Sequence, residues 1–219
     1  DAAAVTGGIV YLPPGVYRVS RRGSSYAILM RSNIILQGTG RETTKIILAD
    51  NQPATARVTE IKNGVTNVII RDLTIDGNWD GNQLGSEQMH CIFIYNASNV
   101  TIENCNCVNA RGDGIYVGGG TVGSHAVVIN KCYFQGNHRN PITVTHVNNI
   151  KIMSCTIISD VAGQAIDFEP WETGFHDAII QGNTIIVTSG DYAFTLSGRS
   201  DTIFTDNYVE STVPLAHMI

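Results

Sequence analysis

The chain has little charge and little of what builds helices. Only 15% of its residues are Asp, Glu, Lys or Arg, and Leu, Lys and Glu are scarce beside Gly, Asn, Thr, Val and Ile. That balance disfavours helices and disorder and favours strands joined by turns. The 19 acidic residues outnumber the 14 basic ones, for a net charge of -5, which argues against a phosphate backbone as partner. No apolar run approaches the roughly 18 residues of a membrane span. No basic-then-apolar leader opens the chain, so it reads as mature or cut. Five cysteines are present without a Cys-x-x-Cys pair. The spacing excludes a paired zinc site, and the odd number excludes a complete disulfide framework. What remains is 43% hydrophobic over 219 residues, enough for one well-buried domain spanning 1–219.

Self-similarity is the main signal. NVIIRDLTI begins at Asn67, NVTIENCNC at Asn99, AVVINKCYF at Ala126, NIKIMSCTI at Asn149, DAIIQGNTI at Asp177 and DTIFTDNYV at Asp201. The starts lie 32, 27, 23, 28 and 24 residues apart, and a looser copy, NIILQGTG, begins at Asn33. Apolar or small residues recur at places two, four, seven and nine. Place four, for example, holds Ile70, Ile102, Ile129, Ile152, Ile180 and Phe204. Place seven holds Leu73, Cys105, Cys132, Cys155, Asn183 and Asn207. This is period two, a skip, then period two again. A strand alternates its faces, so the extra residue turns a corner while both halves stay inward. A third apolar strand precedes each copy: Ile92/Ile94, Ile115/Val117, Ile142/Val144, Ile166/Phe168 and Phe194/Leu196.

Three short strands per turn, with like positions stacked about 4.8 Å apart, define an all-β, right-handed, single-stranded parallel β-helix of about seven to eight coils. The cysteines then read as small core residues in a column. A helical or leucine-rich solenoid would need a period-3.6 face, and a doubly wound α/β fold would need helices between strands. Neither is present. Both ends read as cut, because an open coil presents an unpaired edge.

The opening GGIVYLPPGVYRV, then NIILQGTGRETTKI, then DLTIDGN at Asp72–Asn78, resembles the pectate-lyase-like parallel β-helix superfamily over essentially the whole chain. The resemblance implies the fold. It also implies a setting among bacteriophage tailspikes, capsular depolymerases, alginate epimerases and cell-wall lyases and hydrolases. The epimerase-like part is roughly the first 80 residues. The Asp-Pro-His segment that carries epimerase chemistry corresponds here to Gly114-Ile115-Tyr116-Val117-Gly118. Polygalacturonase and pectate lyase signatures are also missing.

Outward side chains of the strand before each copy form one flat face suited to a glycan. One column reads Phe93, Tyr116, Thr143, Asp167 and Thr195, and the next Tyr95, Gly118, Thr145, Glu169 and Ser197. Phe93, Tyr95 and Tyr116 are candidates to stack on sugar rings. Asp167 and Glu169, in GQAIDFEPW, are the candidate acid/base pair. Residues two apart on a strand lie roughly 6.5–7 Å apart, near the lower limit of the roughly 6.5–9.5 Å carboxyl spacing of inverting glycosidases. Both side chains equally fit solvated surface groups or ligands of a cation. Arg139 lies one coil below, where it pairs with a carboxylate of the site or ties two coils together. Trp171 and Trp79 lie in loops and offer sugar platforms or ordinary loop packing. Asp113 fits the face or a glycine-flanked turn, and His146 fits the face or a hydrogen-bonded surface position.

The first functional reading is an extracellular, secreted or virion-borne enzyme that hydrolyses a polysaccharide, with no cofactor and no metal. The second is a polyuronate lyase or C5-epimerase, which needs positive charge against a developing enolate. The face offers it Arg139, with Arg111 as a second candidate, and no lysine, so Ca²⁺ would have to be recruited by the acids. The third is a non-catalytic glycan-binding or tailspike shaft. A tailspike identity would imply a homotrimer.

Overall fold

The structure, a computed structural model, describes residues 6–161, 163–169, 176–190, 192–197 and 201–214. It is a right-handed parallel β-helix, and each repeat forms two sides of one coil. The first residues of successive repeats, Asn67, Asn99, Ala126, Asn149 and Asp177, have φ between 53 and 62°. Place six, at Asp72, Asn104, Lys131, Ser154, Gly182 and Asp206, does the same with φ between 50 and 65°. These left-handed residues are the corners. Asn, Asp and Gly tolerate that region best, which explains the polar residue leading most of the runs. Asn149 is solvent-exposed at φ 62°. Asn149→Val should therefore cost roughly 1–2 kcal/mol, seen as a lower melting temperature, while Asn149→Gly should stay near wild type.

Every strand pair stacks in parallel and in register. Val68, Val100, Val127, Ile150 and Ala178 align, as do Ile70, Ile102, Ile129, Ile152 and Ile180. All ten are essentially inaccessible. Strands Thr66–Asp76 and Ser98–Val108 run through a corner unbroken, which joins two sides of the prism into one 14-stranded sheet. The lowest coil, Gly8–Tyr11 and Gly15–Val19, pairs with Ile34–Gln37 and Thr44–Leu48. Leu196 departs from the inward pattern. It is 37% exposed, because its strand is the last in its sheet.

Place seven is where the corner is sealed. Asn183 Nδ2 donates to Ile152 O at 3.0 Å, and Asn183 Oδ1 accepts the Cys155 N–H at 2.9 Å. Asn207 Oδ1 accepts the Asn183 N–H at 2.9 Å, and its Nδ2 donates to Ile180 O at 2.8 Å. In the coils below, Cys105, Cys132 and Cys155 occupy the same inward place as free, buried thiols. Burial pushes the Cys132 thiol well up, so it packs as a small neutral group.

The third side is a seven-stranded sheet of Tyr26–Leu29, Arg57–Lys62, Ile92–Tyr95, Ile115–Gly118, Ile142–Val144, Ile166–Phe168 and Phe194–Leu196. Its inner residues join the core. Its outer residues, with the corner that precedes them, build the site below.

Candidate active site

In register up the outer face run Glu60, Phe93, Tyr116, Thr143, Asp167 and Thr195. Beside them stand Lys62, Tyr95 and Gly118. Thr145 and Glu169 continue this second column, as the backbone bonds from Thr145 N to Val117 O and from Glu169 N to Val144 O require. The sequence columns are therefore real, and one coil longer at the bottom than the repeat alone suggested.

Outward does not mean exposed. Asp167 is only 3% accessible, because the preceding corner roofs it. Asn140 Nδ2 donates to Asp167 Oδ2 at 3.0 Å. Glu169, two residues on, keeps 39% of its side chain accessible and accepts from Arg139 Nη2 at 2.8 Å. Burial first, then the Glu169 charge, pushes the Asp167 carboxyl up to about 7.

Arg139 is the hub. Its Nη1 lies 3.1 Å from Asp113 Oδ2 and its Nε 3.9 Å from a Glu87 oxygen. Burial works against its charge, but Asp113 and Glu169 outweigh that and raise its pKa further. Asp113 is fully buried, and its carboxylate also lies 3.2 Å from His90 Nδ1. Its Oδ1 accepts the Asn140 backbone N–H at 3.1 Å. Asp113 therefore does more than shape a glycine turn: it anchors the cation that holds Glu169. His90 is equally buried, and burial pushes its pKa down against the pull of Asp113.

The aromatic residues do not form the expected platforms. His90, Phe93, Tyr95 and Tyr116 stack on one another, with Phe93 centroids 5.1 Å from Tyr116 and 5.5 Å from Tyr95. Arg57 covers Phe93 at 3.6 Å. Neighbouring coils are one strand spacing apart, so rings in one column meet face to face and offer mainly edges outward. Tyr116 also reaches Thr145 Oγ1 at 3.0 Å, and burial raises its pKa. His146 is buried beneath the Gly118–Gly123 loop, its Nδ1 2.6 Å from Gly120 O. Trp79 stacks on His138 at 3.5 Å, with Arg111 4.6 Å from its ring. It lines a separate cleft of about 320 Å³ with Asp76, Asn78, Asp80 and Asn109. Trp171 lies outside the described residues.

Sequence reasoning missed five participants: His90, Asn140, Arg57, Lys62 and Glu60. His90 and Asn140 precede their strands at the corner, outside the period-two pattern. Arg57 and Lys62 flank Glu60 in the coil without a clean repeat, with Arg57 Nη1 2.8 Å from Glu60. Glu60 is inaccessible; burial would raise its pKa, but bonds from Lys62, Ser25 and Arg57 hold it low. The face thus does carry a lysine, contrary to expectation, but a paired one. Among the described residues no group of three His, Cys, Asp or Glu side chains is placed to hold a metal.

Residues 61–214 match the right handed beta helix region family, and the chain belongs to it. Among curated relatives, mannuronan C5-epimerase AlgE6 of Azotobacter vinelandii is 43% identical over 86 residues, 36% of this chain and 10% of that protein. The pre-neck appendage protein of Bacillus phage B103 is 27% identical over 176 residues, 71% of this chain and 20% of that protein. The chain thus spans a tenth to a fifth of these relatives' length. Among solved structures, the tailspike gp49 of Acinetobacter baumannii bacteriophage Fri1, a capsular polysaccharide depolymerase, superposes with a TM-score of 0.69 over 96% of this chain and 42% of that one. At 14% identity, that likeness speaks to the fold alone.

Proposed function

We propose that the chain is the carbohydrate-active part of a secreted or virion-borne protein and hydrolyses a polysaccharide, with Asp167 as acid and Glu169 as base. The supporting observation is the split between two neighbouring carboxyls. One is buried and raised to about 7, while the other is more open and held by a guanidinium. Such a pair keeps a proton donor and an ionised base side by side near neutral pH. Asp167 gives its proton to the glycosidic oxygen as the C–O bond breaks. Water adds at the anomeric carbon and loses a proton to Glu169. Arg139 holds Glu169 in place, Nη2 to Oε2 at 2.8 Å.

The lyase or epimerase reading draws on the AlgE6 match. It needs positive charge beside the abstracted proton. Three cations of the face are held in ion pairs, Arg139 with Asp113 and Glu169, and Arg57 and Lys62 with Glu60, while Arg111 lies over the Trp79 ring. Hydrolysis makes no such demand and is preferred.

A panel of neutral and uronic polysaccharides, assayed for reducing ends and near-ultraviolet absorbance, separates the readings. New reducing ends without absorbance are expected, falling by about 10²–10⁴ in Glu169→Gln. An unsaturated product would indicate elimination instead, and binding without any product would indicate a shaft.

A further inference from the structure

We infer that Asn140 is the positioning residue that confines the acidic proton of Asp167 to Oδ1, by reserving Oδ2 as an acceptor. This deepens the acid/base assignment above. It rests on that assignment only for its catalytic consequence.

The orientation of the Asn140 amide follows from its neighbours. The Gln164 backbone N–H points at Asn140 Oδ1 across 2.9 Å. An N–H can only donate, so that atom is the oxygen; the flipped amide would set donor against donor. The other atom is therefore Nδ2, whose two hydrogens go to Thr143 Oγ1 at 2.9 Å and Asp167 Oδ2 at 3.0 Å. The residue cannot swing away, because its own backbone N–H is bonded to Asp113 Oδ1 and its side chain is buried.

Asp167 Oδ2 thus faces a fixed donor. A carbonyl oxygen accepts an N–H better than a hydroxyl oxygen does, so the neutral acid carries its hydrogen on Oδ1. The charged groups around the pair are Arg139 and Glu169 beside it, Asp113 and His90 behind Arg139, and Glu87 at the rim. None of them duplicates the bond from Asn140 among the described residues. That bond also favours the ionised form, so it tempers the upward push of burial.

Neutron diffraction from crystals held at pH 5 tests the assignment directly. A deuteron on Asp167 Oδ1 is expected. A deuteron on Oδ2, or on neither oxygen, overturns it. Asn140→Ser provides a second readout, since serine is too short to reach Asp167. The Asp167 titration midpoint should rise by about one pH unit, and the alkaline limb of kcat/KM should move with it. A folded variant with an unmoved midpoint overturns the role. If the variant does not fold, the wild-type deuteron position still decides. A deuteron on Oδ1 in a protein that cleaves nothing would leave Asn140's role intact and remove the hydrolase reading alone.

Discussion

Asp167→Asn should abolish turnover and yet make the protein more stable above neutral pH. The loss follows from removing the proton donor, an effect of about 10²–10⁴ on kcat. The gain follows from linkage. The folded carboxyl titrates near 7, against about 3.9 in an unfolded chain. Between those values the native state binds more protons than the unfolded state, so stability falls as pH rises through that window. The wild type therefore bears the full cost of ionising a buried acid above about pH 7, and almost none below about pH 4. Asparagine does not ionise. Its carbonyl oxygen can accept from Asn140 where Asp167 Oδ2 does now. At pH 8 the variant should gain on the order of 2–4 kcal/mol, and at pH 4 nearly nothing. Denaturant melts at the two pH values read this difference. Equal stability offsets at both would remove the buried-acid assignment. An exposed aspartate, as the strand alternation alone suggests, would give little change at either pH.

Ile152→Asp should prevent folding. Ile152 is inaccessible and stacks between Ile129 and Ile180 in adjacent coils. A carboxylate there has no partner, because the column above and below is aliphatic. The cost of several kcal/mol or more rivals the roughly 5–15 kcal/mol that holds a domain together. Losing the side chain also opens a cavity between two coils that otherwise pack by direct contact. Expression should yield aggregate or an unfolded chain. A soluble variant with a cooperative melt would contradict the inward column, and with it the placement of every residue on the outer face.

The columns were legible because each is a local pattern repeated. Val100, Ile102, Cys105 and Cys107 declare one corner, and their counterparts stack where the spacing puts them. The leading Asn and Asp residues also had a readable cause, since left-handed corners prefer them. The roof over Asp167 was not legible. It comes from Asn140 and Arg139, 27 and 28 residues earlier in the chain, and alternation along a strand says nothing about a neighbouring coil's corner. His90, the buried partner of Asp113, was hidden for the same reason, as a corner residue outside the period-two code. Glu60 was lost in RVTEIK, whose coil lacks a clear copy of the repeat. The aromatic ladder was within reach of sequence reasoning. Rings one strand spacing apart on one face must meet face to face, which consumes the surfaces a sugar would need.

The claim on which the site depends is that Asp167 holds its proton near neutral pH. Titration of Asp167 by carboxyl ¹³C NMR, assigned by its loss in Asp167→Asn, measures this in the unmodified protein. A midpoint close to 7 is expected. A midpoint near 4, the range of an ordinary solvated aspartate, would contradict it.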